Sequence, residues 1–229
     1  DRALKIDPGF AEAHSKRGDV LLMRKRLDEA LDSYDRALKI KPDHVAALIN
    51  RGLALQALKR LDEALNSYDQ ALKVKPDHAE AHNNRGMALH ELKRLGEALS
   101  SYDHALRLRP DLAEAHYNRG NALCTLERLD EALACYDRAL TLKPRYAEAH
   151  FNRANALRGL NRLLEALESY ERALALKPDY AEAYSHRGVT LHELKRLDAA
   201  LDSYERALVL KPGYAEAYSN RGVTLHELK

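Results

Sequence analysis

Arginine, asparagine and histidine recur at fixed intervals along this chain, and their side chains could bind an anion, a peptide or a metal ion. The triplet Asn-Arg-Gly stands at residues 50–52, 84–86, 118–120 and 220–222, with variants at 16–18, 152–154 and 186–188. A guanidinium binds carboxylates or phosphates, and a side-chain amide both donates and accepts hydrogen bonds. Imidazoles ligate metal ions, and the chain has 11 histidines. The spacing of these residues decides which of the three chemistries the fold can assemble.

Proline recurs with a spacing that sets the frame for these residues. It falls at residues 8, 42, 76, 110, 144, 178 and 212, an interval of 34 each time. Such an interval indicates stacked supersecondary units. Each unit has two apolar runs of helical periodicity on either side of a polar turn, so we expect antiparallel helix pairs. The expected domain is one continuous array, 1–229, made of the end of a preceding repeat at 1–10, full repeats at 11–44, 45–78, 79–112, 113–146, 147–180 and 181–214, and the first helix of a further repeat at 215–229.

Acidic residues near the helix starts predict how the helices are capped. Positions are numbered 1–34 within a repeat, so that residues 11, 45 and 79 each hold position 1. An Asp at position 18, such as Asp28 or Asp62, is expected to cap the second helix. The pattern Asp-x-x-Glu, as in Asp77–Glu80, predicts a capping box at the start of the first helix.

The repeat carries a family resemblance, which the unit 79–112 shows. In this unit positions 4, 8, 11, 20, 24, 27 and 32 are His82, Gly86, Leu89, Ala98, Tyr102, Ala105 and Pro110. This pattern resembles the tetratricopeptide repeat and covers essentially the whole chain in register. The resemblance implies an all-α fold, a right-handed superhelical α-solenoid of 34-residue antiparallel helix pairs whose first helices line a concave groove. His or Tyr in place of Trp at position 4, and Arg at position 7, depart from the family pattern.

Arginine at position 7 accompanies an acid at position 25. Position 7 lies on the packing side of the first helix, where a guanidinium needs a partner. We interpret the recurrence as a repeated ion pair between helices, and the alternative is an inward row of arginines that binds acidic ligands. The glycine at position 8 stands alone in mid-helix, so we assign it to close helix approach. The arginines are Arg17, Arg51, Arg85, Arg119, Arg153, Arg187 and Arg221, and the acids are Asp35, Asp69, Asp103, Asp137, Glu171 and Glu205.

The other side of the first helices, formed by positions 2, 5, 6, 9, 12 and 13, is called the first-helix face below. Its position 6 is Asn50, Asn84, Asn118, Asn152 and Asn220. Such a row could hold the backbone of an extended peptide; alternatively, each amide bonds only to its neighbours. Similar arrays in O-linked N-acetylglucosamine transferases carry a comparable asparagine row that holds polypeptides. The variable residues that complete the predicted peptide site are Asn83, Met87, His90, Tyr117, Asn121, Phe151, Asn155, Arg158 and His192.

The charges assigned to the first-helix face argue against some partners. The face carries ten acids, among them Glu80, Glu91 and Glu193, but only two bases, Lys16 and Arg158. An acidic surface repels phosphate backbones, so we expect no nucleic-acid binding. Lysine is also missing from position 5, so the carboxylate clamp of chaperone-binding tetratricopeptide domains is not expected. We therefore predict a protein or peptide ligand that is neutral to mildly basic.

Several other functions find no support in the sequence. The histidines at position 4 hold a packing position, so we expect no metal and no cofactor. No nucleophile elbow, phosphate loop or dinucleotide motif is present, so we expect no active site in this chain. No apolar run is long enough to span a bilayer, so we expect no membrane insertion. The two cysteines, Cys124 and Cys135, fit a reducing compartment, and a cytoplasmic, bacterial location is expected.

These observations favour a non-catalytic scaffold that binds an extended peptide or partner protein in its groove. One alternative is the substrate-recruiting segment of a larger glycosyltransferase that resembles O-linked N-acetylglucosamine transferase. A second alternative is end-to-end self-assembly, because neither end of the sequence supplies a polar capping helix. For the same reason we expect the chain to be a segment of a longer array.

Overall fold

The computed structural model describes residues 9–229, so the expectation that 1–10 ends a preceding repeat lies almost wholly outside the described residues. The part that is described is helical and contains no strand. Its helices are α1 Ala11–Met23, α2 Leu27–Ile40, α3 Val45–Ala57, α4 Leu61–Val74, α5 Ala79–Glu91, α6 Leu95–Leu108, α7 Ala113–Thr125, α8 Leu129–Leu142, α9 Ala147–Gly159, α10 Leu163–Leu176, α11 Ala181–Glu193, α12 Leu197–Leu210 and α13 Ala215–Glu227. None of these helices combines the length and the apolar character that crossing a bilayer requires.

The helices pack in the order in which they follow one another. A first helix packs against the second helix of its own repeat, as α1 does on α2 and α9 on α10. The second helix then packs against the next first helix, as α2 does on α3 and α8 on α9. The described residues form two compact units, 9–118 and 119–229, and both show this pattern. The prediction of an all-α solenoid built from antiparallel helix pairs is confirmed.

The predicted helix caps are wrong. The second helices begin two residues earlier than expected, at a leucine such as Leu61, so that Asp62 lies inside the first turn and Arg60 holds the cap position. The first helix α5 is capped by His78, whose Nδ1 accepts from the Ala81 N–H at 3.3 Å. The Asp-x-x-Glu pattern suggested Asp77 as the cap, but the helix begins one residue later than that pattern predicts.

The turn between the two helices of a repeat adopts a left-handed backbone at one non-glycine residue. That residue holds position 15 and has φ of 58–62° in Lys25, Lys59, Lys93, Glu127, Asn161 and Lys195. The arginine that follows, for example Arg94, pairs with a glutamate three residues on, here Glu97, at 2.7 Å. This turn reverses the chain without glycine, at the cost of a strained conformation for residues with a Cβ atom.

In five of the six full repeats the glycine at position 8 lies against a ring of the partner helix, and the repeat 147–180 has Ala154 in its place. A Cβ atom placed on Gly86 would lie 2.6 Å from the Tyr102 ring, and one on Gly188 would lie 2.5 Å from Tyr204. Both tyrosines are essentially inaccessible to solvent. The predicted role of the glycine in close helix approach is therefore confirmed, and its partner is the aromatic residue at position 24.

We expect Lys93→Gly to stabilise the protein, because glycine adopts the left-handed conformation without the steric cost of about 1–2 kcal/mol. The entropy that glycine adds to the unfolded chain offsets part of this, so the net gain should be below about 1 kcal/mol. Urea unfolding measures it. Gln70→Gly, in the interior of α4, is the matched control and should lose about 1 kcal/mol. Destabilisation by both variants would contradict the role assigned to the turn.

Candidate functional site

The structure places the five asparagines of position 6 on the first-helix face, where each is half-buried. It does not leave all of the predicted site exposed. Position 5 is largely covered: Asn83 is 7% exposed, and Ile49 and Ser185 are buried as well. The helical periodicity had placed position 5 at the surface, but it describes one helix alone, and the neighbouring repeat covers this position.

The arginines at position 7 bridge two repeats. Arg51 Nε lies 2.7 Å from Asp35 Oδ1 of the preceding repeat, and its Nη1 donates to Ser67 Oγ of its own repeat at 2.6 Å. Arg85 and Arg153 do the same with Asp69 and Asp137 at 2.7 and 2.6 Å. The predicted repeated ion pair is therefore confirmed, and the alternative of an arginine row that grips acidic ligands is wrong at these positions.

One repeat has a thiol in place of the serine that receives the arginine. Cys135 occupies position 23 and is 5% exposed, and Arg119 Nη1 lies 2.9 Å from its Sγ. The other cysteine, Cys124, accepts from the Tyr136 hydroxyl at 3.4 Å, and burial raises the pKa of its thiol. Both sulfur atoms therefore take part in hydrogen bonds that oxygen or nitrogen atoms make at the same positions of other repeats.

The asparagine row is largely engaged in hydrogen bonds between repeats. Asn50 Nδ2 donates to Asp19 Oδ1 at 2.8 Å, and Asn152 Nδ2 donates to Asn121 Oδ1 at 2.9 Å. His186, which replaces asparagine at position 6, has Nδ1 at 2.8 Å from Asn155 Oδ1. The acceptor in each case is the side chain at position 9 of the preceding repeat. We call this arrangement the position 6–9 ladder.

Tyrosine hydroxyls from the second helices reach the same acceptors. Tyr136 donates to Asn121 Oδ1 at 2.8 Å, and Tyr170 donates to Asn155 Oδ1 at 2.6 Å. Tyr34 donates to Asp19 Oδ1 at 3.1 Å. Burial raises the pKa of Tyr34 and of Tyr170, so these two hydroxyls remain donors at neutral pH.

Most acids of the first-helix face lie against a base, which reduces the expected excess of negative charge. Glu91 accepts from Gln56 at 2.6 Å and from Lys59 at 2.7 Å; although burial opposes the shift, these bonds lower the pKa of Glu91. Further pairs are Glu193 with Arg158 at 3.4 Å, Glu227 with His192 at 2.8 Å and Lys195 at 2.5 Å, Glu182 with Lys211 at 3.2 Å, and Glu148 with Lys177 at 3.8 Å. Arg158 and His192 belong to first helices, whereas the lysines come from turns and from the ends of second helices, which the helical wheel had assigned elsewhere.

The comparisons with known families agree with this architecture. A family model described as "Tetratricopeptide repeat" matches residues 49–113 and 151–215, more than half of the chain. A second model of that description matches 9–77, and one described as "TPR repeat" matches 120–160. The chain belongs to the tetratricopeptide repeat family. A search of curated proteins found no match.

Solved tetratricopeptide structures superimpose closely on the chain. The anaphase-promoting-complex hetero-tetramer Cut9–Hcn1 matches with a TM-score of 0.86 at 16% identity over 97% of this chain, which spans 44% of the matched chain. PilW, described as a type IV pilus biogenesis factor, matches with a TM-score of 0.84 at 24% identity, covering 91% of this chain and 97% of its own. YrrB, described as a TPR protein with an unusual peptide-binding site, matches with a TM-score of 0.67 at 25% identity over 82% and 97%.

An aromatic cluster lies beside the position 6–9 ladder in the unit 119–229. The ring of Phe151 lies 4.8 Å from that of Tyr180, 5.2 Å from His186 and 6.0 Å from Tyr170. Phe151 keeps part of its surface exposed, as does Tyr117 in the unit 9–118. Phe151 therefore packs against three rings and keeps part of its surface exposed. That it belongs to a binding surface stays a prediction.

The histidines at position 4 hold the repeats together. His82 Nε2 donates to the Pro76 carbonyl oxygen at 2.9 Å, and His150 Nε2 donates to that of Pro144 at 3.0 Å. Burial lowers the pKa of both imidazoles. Among residues 9–229, no three His, Cys, Asp or Glu side chains come close enough together to hold a metal ion.

The sequence interpretation missed the tyrosine hydroxyls as part of the site. Tyrosine occupies position 24 in every full repeat, and 12 of the 14 Phe and Tyr residues in the chain are tyrosine. A packing role alone would accept phenylalanine equally well, so this preference was a usable signal for a hydroxyl with a partner.

The interhelical ion pair should be measurable in a double-mutant cycle of Arg153→Met and Asp137→Asn. Asp137 is 52% exposed, so we expect a coupling free energy of only about 0.5–1 kcal/mol, falling with added salt. The exposed pair Arg162–Glu165 is the control, with an expected coupling below about 0.5 kcal/mol. A coupling of zero for Arg153 and Asp137 would contradict the bridging role.

Stability should fall on mild acidification because histidines that are partly or fully buried resist protonation. Burial lowers the folded-state pKa of His82, His90, His150 and His186, so protons bind the unfolded chain more readily. The folded state keeps its full stability above about pH 6.5, the pKa of histidine in the unfolded chain. As the pH falls below that value, the unfolded chain binds protons first and the stability of the folded state is lost. Urea unfolding at pH 8 and at pH 5.5 should show the loss. His82→Tyr, which copies Tyr184 at the same repeat position, should reduce it, and His226→Tyr at an exposed position should not. Equal stability at both pH values would refute this expectation.

Proposed function

We propose that this chain is a non-catalytic interaction scaffold and that its first-helix face binds an extended segment of a partner protein. Membership in the tetratricopeptide repeat family supports an interaction role in general. The observation that carries the proposal for this face is a half-buried side-chain amide with a donor to spare: Asn84 Oδ1 accepts from Asn83, and Asn84 Nδ2 has no acceptor among residues 9–229. An oriented amide can bind a peptide backbone without first losing rotamer freedom.

The variation among repeats supports recognition on the same face. Positions 9 and 12 are Met87 and His90 in one repeat and Asn155 and Arg158 in another, whereas Gly at position 8 and Tyr at position 24 hardly change. A uniform core with a variable face suits side-chain selection by a binding surface. The similarity to YrrB, whose description names a peptide-binding site, also supports peptide binding.

We further propose a ligand segment with little net charge. Because Glu91, Glu193 and Glu227 each lie against a base, the face presents neither a strong negative field nor free cations at these points. The two thiols fit a reducing compartment, and we propose that the chain acts in the cytoplasm.

Site-specific photo-crosslinking to a random peptide pool tests the proposed face. A photoreactive phenylalanine analogue would replace His90 or Thr125 on the first-helix face, and Gln70 or Arg138 on the second helices as matched controls. We expect peptide adducts at the first pair and few at the second. Adducts on the second helices alone, or none with any variant, would refute the proposed function.

A further inference from the structure

The position 6–9 ladder is interrupted at two successive repeats of the unit 9–118, and Val189 at position 9 interrupts it once more in the unit 119–229. A complete step has an oxygen acceptor at position 9, which receives the tyrosine of its own repeat and position 6 of the next, as Asp19 receives Tyr34 and Asn50. The two following repeats have Leu53 and Met87 at position 9. Neither side chain can replace a carboxylate or amide oxygen, so four donors must find other partners or go without.

Two of these donors are satisfied by substitutes. The Tyr68 hydroxyl donates to Gln56 Oε1 at 3.2 Å, from position 12 of the same first helix. Asn118 Nδ2 donates to Asn83 Oδ1 at 3.0 Å, from position 5 of the preceding repeat. This second bond explains why Asn83, predicted to be an exposed contact, is buried.

The other two donors, Asn84 and Tyr102, are left over. Asn84 Oδ1 accepts a long hydrogen bond of 3.4 Å from Asn83, and its Nδ2 has no acceptor among residues 9–229. The Tyr102 hydroxyl is buried and has no hydrogen-bond partner in the same part of the chain. Burial, and then the charge of Glu91, raise the pKa of Tyr102, so its hydroxyl stays protonated and able to donate. An unpaired buried donor is rare in folded proteins and calls for an explanation.

We propose that Asn84 Nδ2 and the Tyr102 hydroxyl form the hydrogen-bonding subsite of the first-helix face, where carbonyl oxygens of an extended peptide replace the acceptors that Leu53 and Met87 do not supply. This inference rests on the proposed function and narrows it. Both vacant partners are acceptors, which selects a carbonyl group over an amine or a guanidinium. The remaining asparagines that the ladder engages, such as Asn50 and Asn152, then serve the stacking of repeats.

The residues around the subsite suit an entering peptide. The position-9 side chain contacts the tyrosine hydroxyl in the complete steps, so Met87 holds the corresponding place beside Tyr102. Met87 is partly exposed, and its Sδ lies 3.7 Å from Asn83 Nδ2. An unbranched thioether can change rotamer readily and give a peptide carbonyl access to the hydroxyl beneath it. Leu53 offers apolar contact for a neighbouring side chain of the peptide.

The test compares binding and stability in matched pairs of variants. The probe is a fluorescein-labelled peptide selected from a random pool by the wild-type chain, and its dissociation constant is measured by anisotropy. Asn84→Ala and Tyr102→Phe should each weaken binding about three- to tenfold, the effect of one lost hydrogen bond, and leave the midpoint of urea unfolding unchanged or higher. Asn152→Ala and Tyr136→Phe remove the same groups from a complete ladder step. They should lower the midpoint and leave the dissociation constant within about twofold.

A gain-of-acceptor variant guards against misfolding as an explanation. Met87→Asn places at residue 87 the asparagine that Asn121 and Asn155 supply in their repeats. The variant should therefore have a higher unfolding midpoint and bind the peptide more weakly. If the wild-type chain selects a peptide but Asn84→Ala, Tyr102→Phe and Met87→Asn all bind it unchanged, the subsite is wrong while the proposed function stands. If the wild-type chain selects no peptide, the proposed function itself fails.

Discussion

The contact between the small residue at position 8 and the tyrosine ring at position 24 sets how closely the two helices of a repeat approach; the small residue is glycine in five of the six full repeats and Ala154 in the sixth. Without a Cβ atom on Gly86 or Gly188, the ring lies directly on the first helix. The hydroxyl then reaches past that helix to the first-helix face, where Asp19, Asn121 or Asn155 receives it. The same side chain therefore closes the core of a repeat and supplies a donor to its polar face, so packing and recognition cannot vary independently.

Cohesion between repeats comes from polar contacts that are individually weak. The arginine of position 7 joins an acid of the preceding repeat to a serine of its own, and the histidine of position 4 reaches the carbonyl oxygen of a preceding proline, as in His82 and Pro76. The acids are about half exposed, so each ion pair contributes at most about 1 kcal/mol. Stability in such an array is a sum over repeats and the interfaces between neighbours, and a small term that recurs at every interface becomes decisive.

The sequence predicted the features that recur in every repeat and missed the contacts that only particular repeats make with their neighbours. The interval of 34, the role of Gly86 and the pairing of Arg51 with an acid follow from recurrence alone. Helical periodicity could not show that Glu91 meets Lys59, 32 residues away, or that Asn118 meets Asn83, 35 residues away, because these contacts join different helices. The caps failed for a local reason: His78 and Asp77 are adjacent, and only the backbone decides which of them faces the helix start.

A residue that recurs at the same position of every repeat therefore indicates a structural role more strongly than a binding role. An amide that bonds to the next repeat has used a donor that a ligand would need, so the regular part of the asparagine row is the part least available for recognition. A replacement at position 9 acts indirectly, because Leu53 and Met87 change the surface by releasing Asn84 and Tyr102 from the bonds that their counterparts make. Leaving the buried Tyr102 hydroxyl unpaired costs free energy, and folding alone gives no reason to retain that cost. A bound carbonyl group would remove that cost. The repeats that depart from the regular hydrogen-bond pattern are therefore the ones best suited to bind a peptide.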